Sequence, residues 1–440
     1  MSTPRSLDLP DQVRRVTIQS HRGAFAALEA QPTTGVCERR PALLIPGFTG
    51  SKEDFIPVLQ PLASAGRRVV AIDMRGQYQT QGAASAGGYA PGELAADITA
   101  IIGTVAGDGQ GLHLVGHSLG GLIAREVALA QAARITSLTL LGSGPGRITG
   151  ERADMLRGML ALMAATGRED GSGPGGGPSP EQSAGTQDSR DPSGDHLPPD
   201  HRLQAAVAKI WDEHLAPEAR ADGVPEHLIA FLHRRMMSNS PTGLVVMGKY
   251  LLACPDRTAE LANLGGPPIL VVYGENDDAW RPAVQERMAR RLGARRVCIP
   301  GAGHSPPVEA PETTAGTLTA FWRTAEDGER RQGAGPASSS GHSGQRARPA
   351  AAPASGAPGS MAPGPGSPGP GLAGPGPGSP APGPGSPAPG RSSPAPAGPA
   401  APGPAPARGL AAGASAVSVP SPSHGRRDSE AALPSGQWAR

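Results

Sequence analysis

Eight short runs of branched apolar residues, separated by segments of helical period, leave this chain few ways to fold. Residues 16–19 and 24–29 read as an opening hairpin and 42–45 and 69–72 as buried strands, followed by 112–115, 137–141, 269–273 and 296–299. Between them, 55–65, 91–105 and 119–131 space their apolar residues as helices do. Strand and helix in alternation predict a mostly parallel sheet flanked by helices, because parallel neighbours need a crossover long enough to hold one.

The alternation breaks after Ser143. Four helical segments follow one another at 153–165, 203–215, 225–237 and 242–252, before strands resume around a helix at 283–291. A last helix at 311–324 opens on Pro311, as helices often do. The pattern predicts a helical block over 147–260 inserted between two sheet-forming parts, 1–146 and 261–326. Composition matters here, because 63 glycines and 50 prolines in 440 residues do not suit one packed core throughout. The excess lies in 166–199, inside the helical block, and in 327–440. Both have too few bulky apolar side chains to offset the entropy of ordering, and are expected to be a disordered loop and a disordered tail. Roughly 290 residues remain to fold, enough for one α/β domain with an accessory layer.

Forty basic against 38 acidic residues leave a net charge of +2, with no field to gather nucleic acid or an anionic membrane. The start of the chain lacks a signal-like apolar run, and no stretch of 18 apolar residues occurs. The expectation is a cytoplasmic protein with no membrane span. Cys37, Cys254 and Cys298 are an odd number without CxxC or CxxH spacing. They read as packing residues rather than as disulfide partners or zinc ligands. Nothing identifies a protein partner.

The chemistry centres on Gly116-His117-Ser118-Leu119-Gly120. An apolar strand ends at Gly116 and a helical pattern begins at Leu119, so Ser118 sits on a sharp turn that would push its hydroxyl out above the sheet. In a chain this rich in glycine and serine the pentapeptide could arise by chance; the flanking strand and helix favour a nucleophile. A serine hydroxyl needs a base, and a carboxylate to hold that base in the right tautomer. Of 11 histidines, His304 follows the last predicted strand in Gly301-Ala302-Gly303-His304, while His113, His214, His227 and His233 read as structural. For the acid, Asp277 in Gly274-Glu275-Asn276-Asp277 is the choice, with Asp278 and Glu275 as rivals that could simply cap a helix or solvate the turn. The oxyanion of an acyl-transfer transition state needs two N–H donors, expected from Leu119 and from Phe48 in Pro46-Gly47-Phe48-Thr49-Gly50-Ser51.

Together these residues resemble the lidded α/β-hydrolase family, which shares GxSxG, GxxD and a late GxGH. Asp73-Met74-Arg75-Gly76 is similar to that family's DxRG turn, and the resemblance covers roughly residues 16–324. One departure is Pro46-Gly47, where many members carry a His-Gly pair. The resemblance implies an eight-stranded α/β-hydrolase fold with the helical block as a cap over the nucleophile. In that cap Met155, Met159 and Met163 fall at i, i+4 and i+8, and Met236, Met237 and Met247 add to a set able to adapt to a hydrophobic substrate. Met155, Met159 and Trp280 are the candidates for lining the pocket. The reaction expected is hydrolysis of a small ester or related acyl substrate through an acyl-enzyme, with no cofactor and no metal. Thioesters, amides, peracid formation and cleavage of carbon–carbon bonds use the same triad, and a non-catalytic ligand-binding protein of this fold is the alternative from another class.

Overall fold

The computed structural model describes residues 2–32, 39–107, 110–166 and 200–333. Cys37, residues 167–199 of the loop expected at 166–199 and residues 334–440 of the tail expected at 327–440 lie outside these residues. The strands are β1 (Val13–Ser20), β2 (Gly23–Ala30), β3 (Ala42–Ile45), β4 (Val69–Ile72), β5 (Leu112–His117), β6 (Ile135–Leu141), β7 (Ile269–Gly274) and β8 (Arg295–Ile299). They form one eight-stranded sheet in the order β1-β2-β4-β3-β5-β6-β7-β8. β1, β2 and β4 pair antiparallel and every other pair is parallel, so the expected mostly parallel sheet is what forms.

Strands β3 to β6 are buried along their whole length, which explains their unbroken apolar runs: both sheet faces are covered. Successive side chains still go to opposite faces. Leu43 and Ile45 join Val70, Ile72 and Leu114 on the face carrying α2 (Pro91–Ala106) and α3 (Leu119–Gln131). Ala42 and Leu44 join Val69 and Ala71 on the face that receives α1 (Ile56–Ser64) and the last helix.

Between β6 and β7 the chain leaves the sheet for α4 (Glu151–Thr166), α5 (Asp200–Ile210), a π-helical turn at Trp211–Leu215, α6 (Ala216–Ala221), α7 (Glu226–Ser238), α8 (Pro241–Ala253) and α9 (Thr258–Asn263). The base of this excursion is sewn shut. Arg147 and Ile148 donate backbone N–H groups to the carbonyls of Cys254 (2.8 Å) and Leu251 (3.0 Å), and the buried Arg125 reaches the Pro145 carbonyl at 2.6 Å. Helices α10 (Pro282–Leu292), α11 (Pro306–Glu309) and α12 (Pro311–Gly333) complete the fold.

Two expectations need correction. Residues 327–333, expected to belong to the disordered tail, instead continue α12 to Gly333. The end of α12 is held by partners far away in sequence: Glu326, just before these residues, pairs with Arg39 (2.8 Å), Arg67 (2.9 Å) and His113 (3.0 Å), and Glu329 with Arg40 (3.2 Å). Cys254 is buried, whereas Cys298 is exposed on the edge strand β8, so only the former packs.

The Glu326 cluster is a buried polar knot. His113 stacks on Trp322 with ring centroids 5.1 Å apart, and the Arg67 guanidinium lies 4.9 Å over the same indole. Burial pushes the Glu326 carboxyl up, but His113, Arg67 and Arg39 outweigh it and hold the group well below the usual carboxylate range. Removing the carboxylate would leave the fully buried Arg67 without its counter-charge. Glu326→Ala should therefore lose about 3–5 kcal/mol of stability, read as a lower urea midpoint at unchanged slope.

Candidate active site

Ser118 joins β5 to α3 with φ 54° and ψ −120°, a conformation that costs about 1–3 kcal/mol for a side chain other than glycine. Its neighbours make the turn possible. A Cβ on Gly116 would collide with the Gly120 carbonyl, one on Gly120 would meet the Ile45 carbonyl oxygen at 2.5 Å, and one on Gly121 the Ser143 side chain at 2.5 Å. The Ser118 N–H donates to the Leu141 carbonyl at 2.9 Å, locking the strained residue to β6.

The structure brings the three expected side chains into one line. Ser118 Oγ lies 3.0 Å from His304 Nε2, and His304 Nδ1 lies 3.0 Å from Asp277 Oδ1. Asp277 also accepts from the N–H groups of Ala279 (3.0 Å) and Trp280 (3.3 Å), and its second oxygen from Gln285 Nε2 at 2.8 Å. Burial alone would raise its pKa, yet the His304 charge and these hydrogen bonds hold the carboxyl below its ordinary value. The rivals go elsewhere: Asp278 takes both arms of Arg152 in the inserted helices at 2.9 Å each, and Glu275 accepts from the Gly301 N–H at 2.9 Å.

His304 is held by its backbone as well. The N–H groups of Gly303 and Ser305, on either side of it, donate to the two oxygens of Glu309. His117 Nε2–H donates to the His304 carbonyl at 2.8 Å. Burial, reinforced by the neighbouring His304, lowers the His117 pKa to about 3, so the ring is neutral. Neither Glu309 nor Gln285 stands in a motif: each sits on the helix that follows the loop it braces, four to eight residues from its partners, where a glutamate or glutamine reads as an ordinary helix residue. His117 was legible as a motif position but not as a clamp.

Opposite His304, the turn Gly47–Gly50 abuts the serine, and a Cβ on Gly47 would stand 3.0 Å from that of Ser118. The Gly47 carbonyl accepts from the Gly50 N–H (3.1 Å) and from Gln77 Nε2 (2.8 Å), while Gln77 Oε1 accepts from the Met74 N–H at 3.1 Å. Because a trans peptide is planar, a carbonyl pinned on one side aims the Phe48 N–H to the other. Leu119 opens α3, where N–H groups have no acceptor within the helix. The DxRG segment is scaffolding: Asp73 takes the Lys52 N–H (2.8 Å) and Nζ (2.7 Å), and Arg75 grips Asp97 of α2. Burial pushes the Asp73 carboxyl up to about 6 even against Lys52. Gln77 follows that segment directly, the one signal that would have found it.

Ser118 and His304 open on a cavity of about 90 Å³ whose apolar walls include Phe48, Leu156, Met159, Met236 and Leu251. Met159 lines it as expected from its place on α4; Met155 and Trp280 do not. Met155 is buried one turn before Met159 on α4. Trp280 packs on Gly144 and donates its indole N–H to the Gly146 carbonyl at 2.9 Å, bracing the root of the inserted helices. Among the described residues, no helix is long and apolar enough to cross a membrane.

A strand-to-helix serine elbow over a largely parallel eight-stranded sheet defines the α/β-hydrolase class. The model of the alpha/beta hydrolase family matches residues 42–317, and the chain belongs to that family. A protein of Variovorax paradoxus (strain S110) that bears the name carbamate hydrolase RutD is 36% identical over 133 residues, 30% of this chain. The match spans about half of that relative, 48% of its length. Among solved structures, a protein described as a lipase (Lip1) from Acinetobacter baumannii AYE superposes with a TM-score of 0.52 at 19% identity, covering 72% of this chain and 93% of the other. A hydrolase from Pseudomonas aeruginosa PA01 gives 0.50 at 19% identity, covering 70% and 98%. At such identities the likeness concerns the fold.

The buried histidines have a consequence for pH. Burial takes His117 to about 3 and His113 to about 4 from the usual 6.5. The unfolded chain thus binds their protons first, so the stability they permit is complete above about pH 6.5 and is lost as pH falls toward 4. Urea denaturation at pH 7 and pH 4.5 should differ by on the order of 2 to 3 kcal/mol per histidine, and His117→Asn should shrink that difference.

Proposed function

We propose that the protein is a serine hydrolase of small acyl substrates, esters foremost, working through an acyl-enzyme. The observation that carries the reading is the continuous relay from Ser118 Oγ through His304 to Asp277, with both spacings 3.0 Å, opening on an apolar cavity.

In the proposed cycle Ser118 Oγ bonds to the substrate carbonyl carbon as its proton passes to His304 Nε2. The Phe48 and Leu119 N–H groups take the oxyanion, and Asp277 stabilises the imidazolium. Collapse breaks the bond to the alcohol, which leaves with the proton from His304. Water then repeats the sequence and frees the acid and Ser118. The steps require no cofactor. A cavity of about 90 Å³ holds on the order of half a dozen water-sized groups, which suits a short acyl chain. Gln77, by pinning the Gly47 carbonyl, acts as a positioning residue for the Phe48 donor. The name of the Variovorax relative makes carbamates a second acyl class worth assaying.

A fluorophosphonate probe should label the wild-type protein and leave Ser118→Ala unlabelled; an unlabelled wild type, or equal labelling of the variant, would sink the reading. On an ester panel Asp277→Asn should lower kcat by about 10⁴-fold, whereas Asp278→Asn should stay within a few fold. Gln77→Ala should lower kcat by about 10- to 100-fold with KM little changed, the split expected when an interaction made only in the transition state is weakened.

A further inference from the structure

The cavity has a wall that none of the motifs supplies. Ser2 lines it beside Thr49, Met236 and Ser305, although 116 residues of sequence separate it from the nucleophile. Its hydroxyl shares a hydrogen bond with that of Ser305, next to His304, at 2.8 Å. Its carbonyl accepts from Arg235 Nη2 at 2.6 Å, and the other arm of that guanidinium donates to Asp54 Oδ1 at 2.7 Å. Pro4 is buried, and Arg5 reaches across to the Glu309 carbonyl at 2.9 Å.

Arg235 makes this more than a resting place for a chain end. Its side chain is fully buried between α7 and the turn after the Gly47–Gly50 loop, and its Nε has no partner among the described residues. A buried guanidinium that loses an acceptor bears the full desolvation penalty of the orphaned N–H. The Ser2 carbonyl accepts from this guanidinium, so the segment is anchored where it lies.

We infer that the segment Ser2–Arg5 is a specificity determinant, a strap that closes the acyl cavity between α7 and the loop after β8 and so limits the length of chain it accepts. The inference rests on the acyl-hydrolase reading and deepens it: the preferred substrate has a short acyl group because the segment Ser2–Arg5 occupies the space a longer one would fill. Arg235 is the positioning residue that holds the strap.

The test uses the full chain, a variant lacking residues 2–5, and Ser2→Phe, which adds bulk to the same wall. The readout is the ratio of kcat/KM for p-nitrophenyl octanoate to that for p-nitrophenyl acetate, with folding checked by circular dichroism and the site by fluorophosphonate labelling. Shortening the strap should raise the ratio about tenfold, and Ser2→Phe should lower it by a similar factor, the scale of one or two methylenes in an apolar pocket. If the shortened chain does not fold, Ser2→Phe decides alone. A wild-type ratio in variants that fold and label overturns the inference while leaving the hydrolase reading intact. A wild type that neither labels nor turns over any ester overturns both.

Discussion

Helix α3 is pressed so closely against strand β5 at Gly116 and against the end of β3 at Gly120 that no side chain fits at either place, and everything at the site follows from these contacts. A Cβ at either position would run into backbone, so the strand can bend into the helix only with glycine at both. The bend leaves Ser118 at positive φ, an unfavourable conformation for a serine that persists because the packing on either side allows no other. The strain is local. The sheet beneath, with β3 to β6 buried on both faces, is stable enough to hold it.

The groups around the serine are positioned chiefly through their backbones. His304 is held by Glu309 at the peptides on both sides and by His117 at its carbonyl, so the imidazole is aimed by its loop as well as by Asp277. The Gly47–Phe48 peptide is aimed likewise, by Gln77. Side chains behind the Ser118–His304–Asp277 line thus set the direction of donors and acceptors in front of it. Such preorganisation lets a polar site avoid reorienting its dipoles as charge develops.

The inserted helices and the sheet share the cavity. Helix α4 supplies Leu156 and Met159, α7 supplies Met236 and α8 Leu251, while the loops of the sheet bring Phe48, Ser118 and His304. The excursion is fastened at its root by Arg125 and Trp280 and nearer the site by the Arg152–Asp278 pair. Asp278 therefore has its own partner one residue from Asp277, so the two adjacent aspartates of that loop face different elements.

Periodicity and motif spacing by themselves were enough for the sheet, the helical insertion between β6 and β7, and the serine on its elbow. These depend on local rules: apolar runs that suit a sheet covered on both faces, glycines that permit a tight turn, prolines that open helices. The choice of Asp277 over Asp278 rested on spacing, and only the fold shows one facing His304 and the other Arg152. Gln77 and Arg235 were not legible, because a buried glutamine or arginine looks like any surface residue until its partner arrives from another element; Glu309 and Gln285 brace loops only four to eight residues away but belong to no motif. The length of α12 and the placement of Trp280 were misjudged because ion pairs and indole packing join residues far apart in sequence. Local sequence determined which elements form, and tertiary packing decided which polar side chains meet, since hydrogen bonds and ion pairs depend on distances that the chain acquires only once folded.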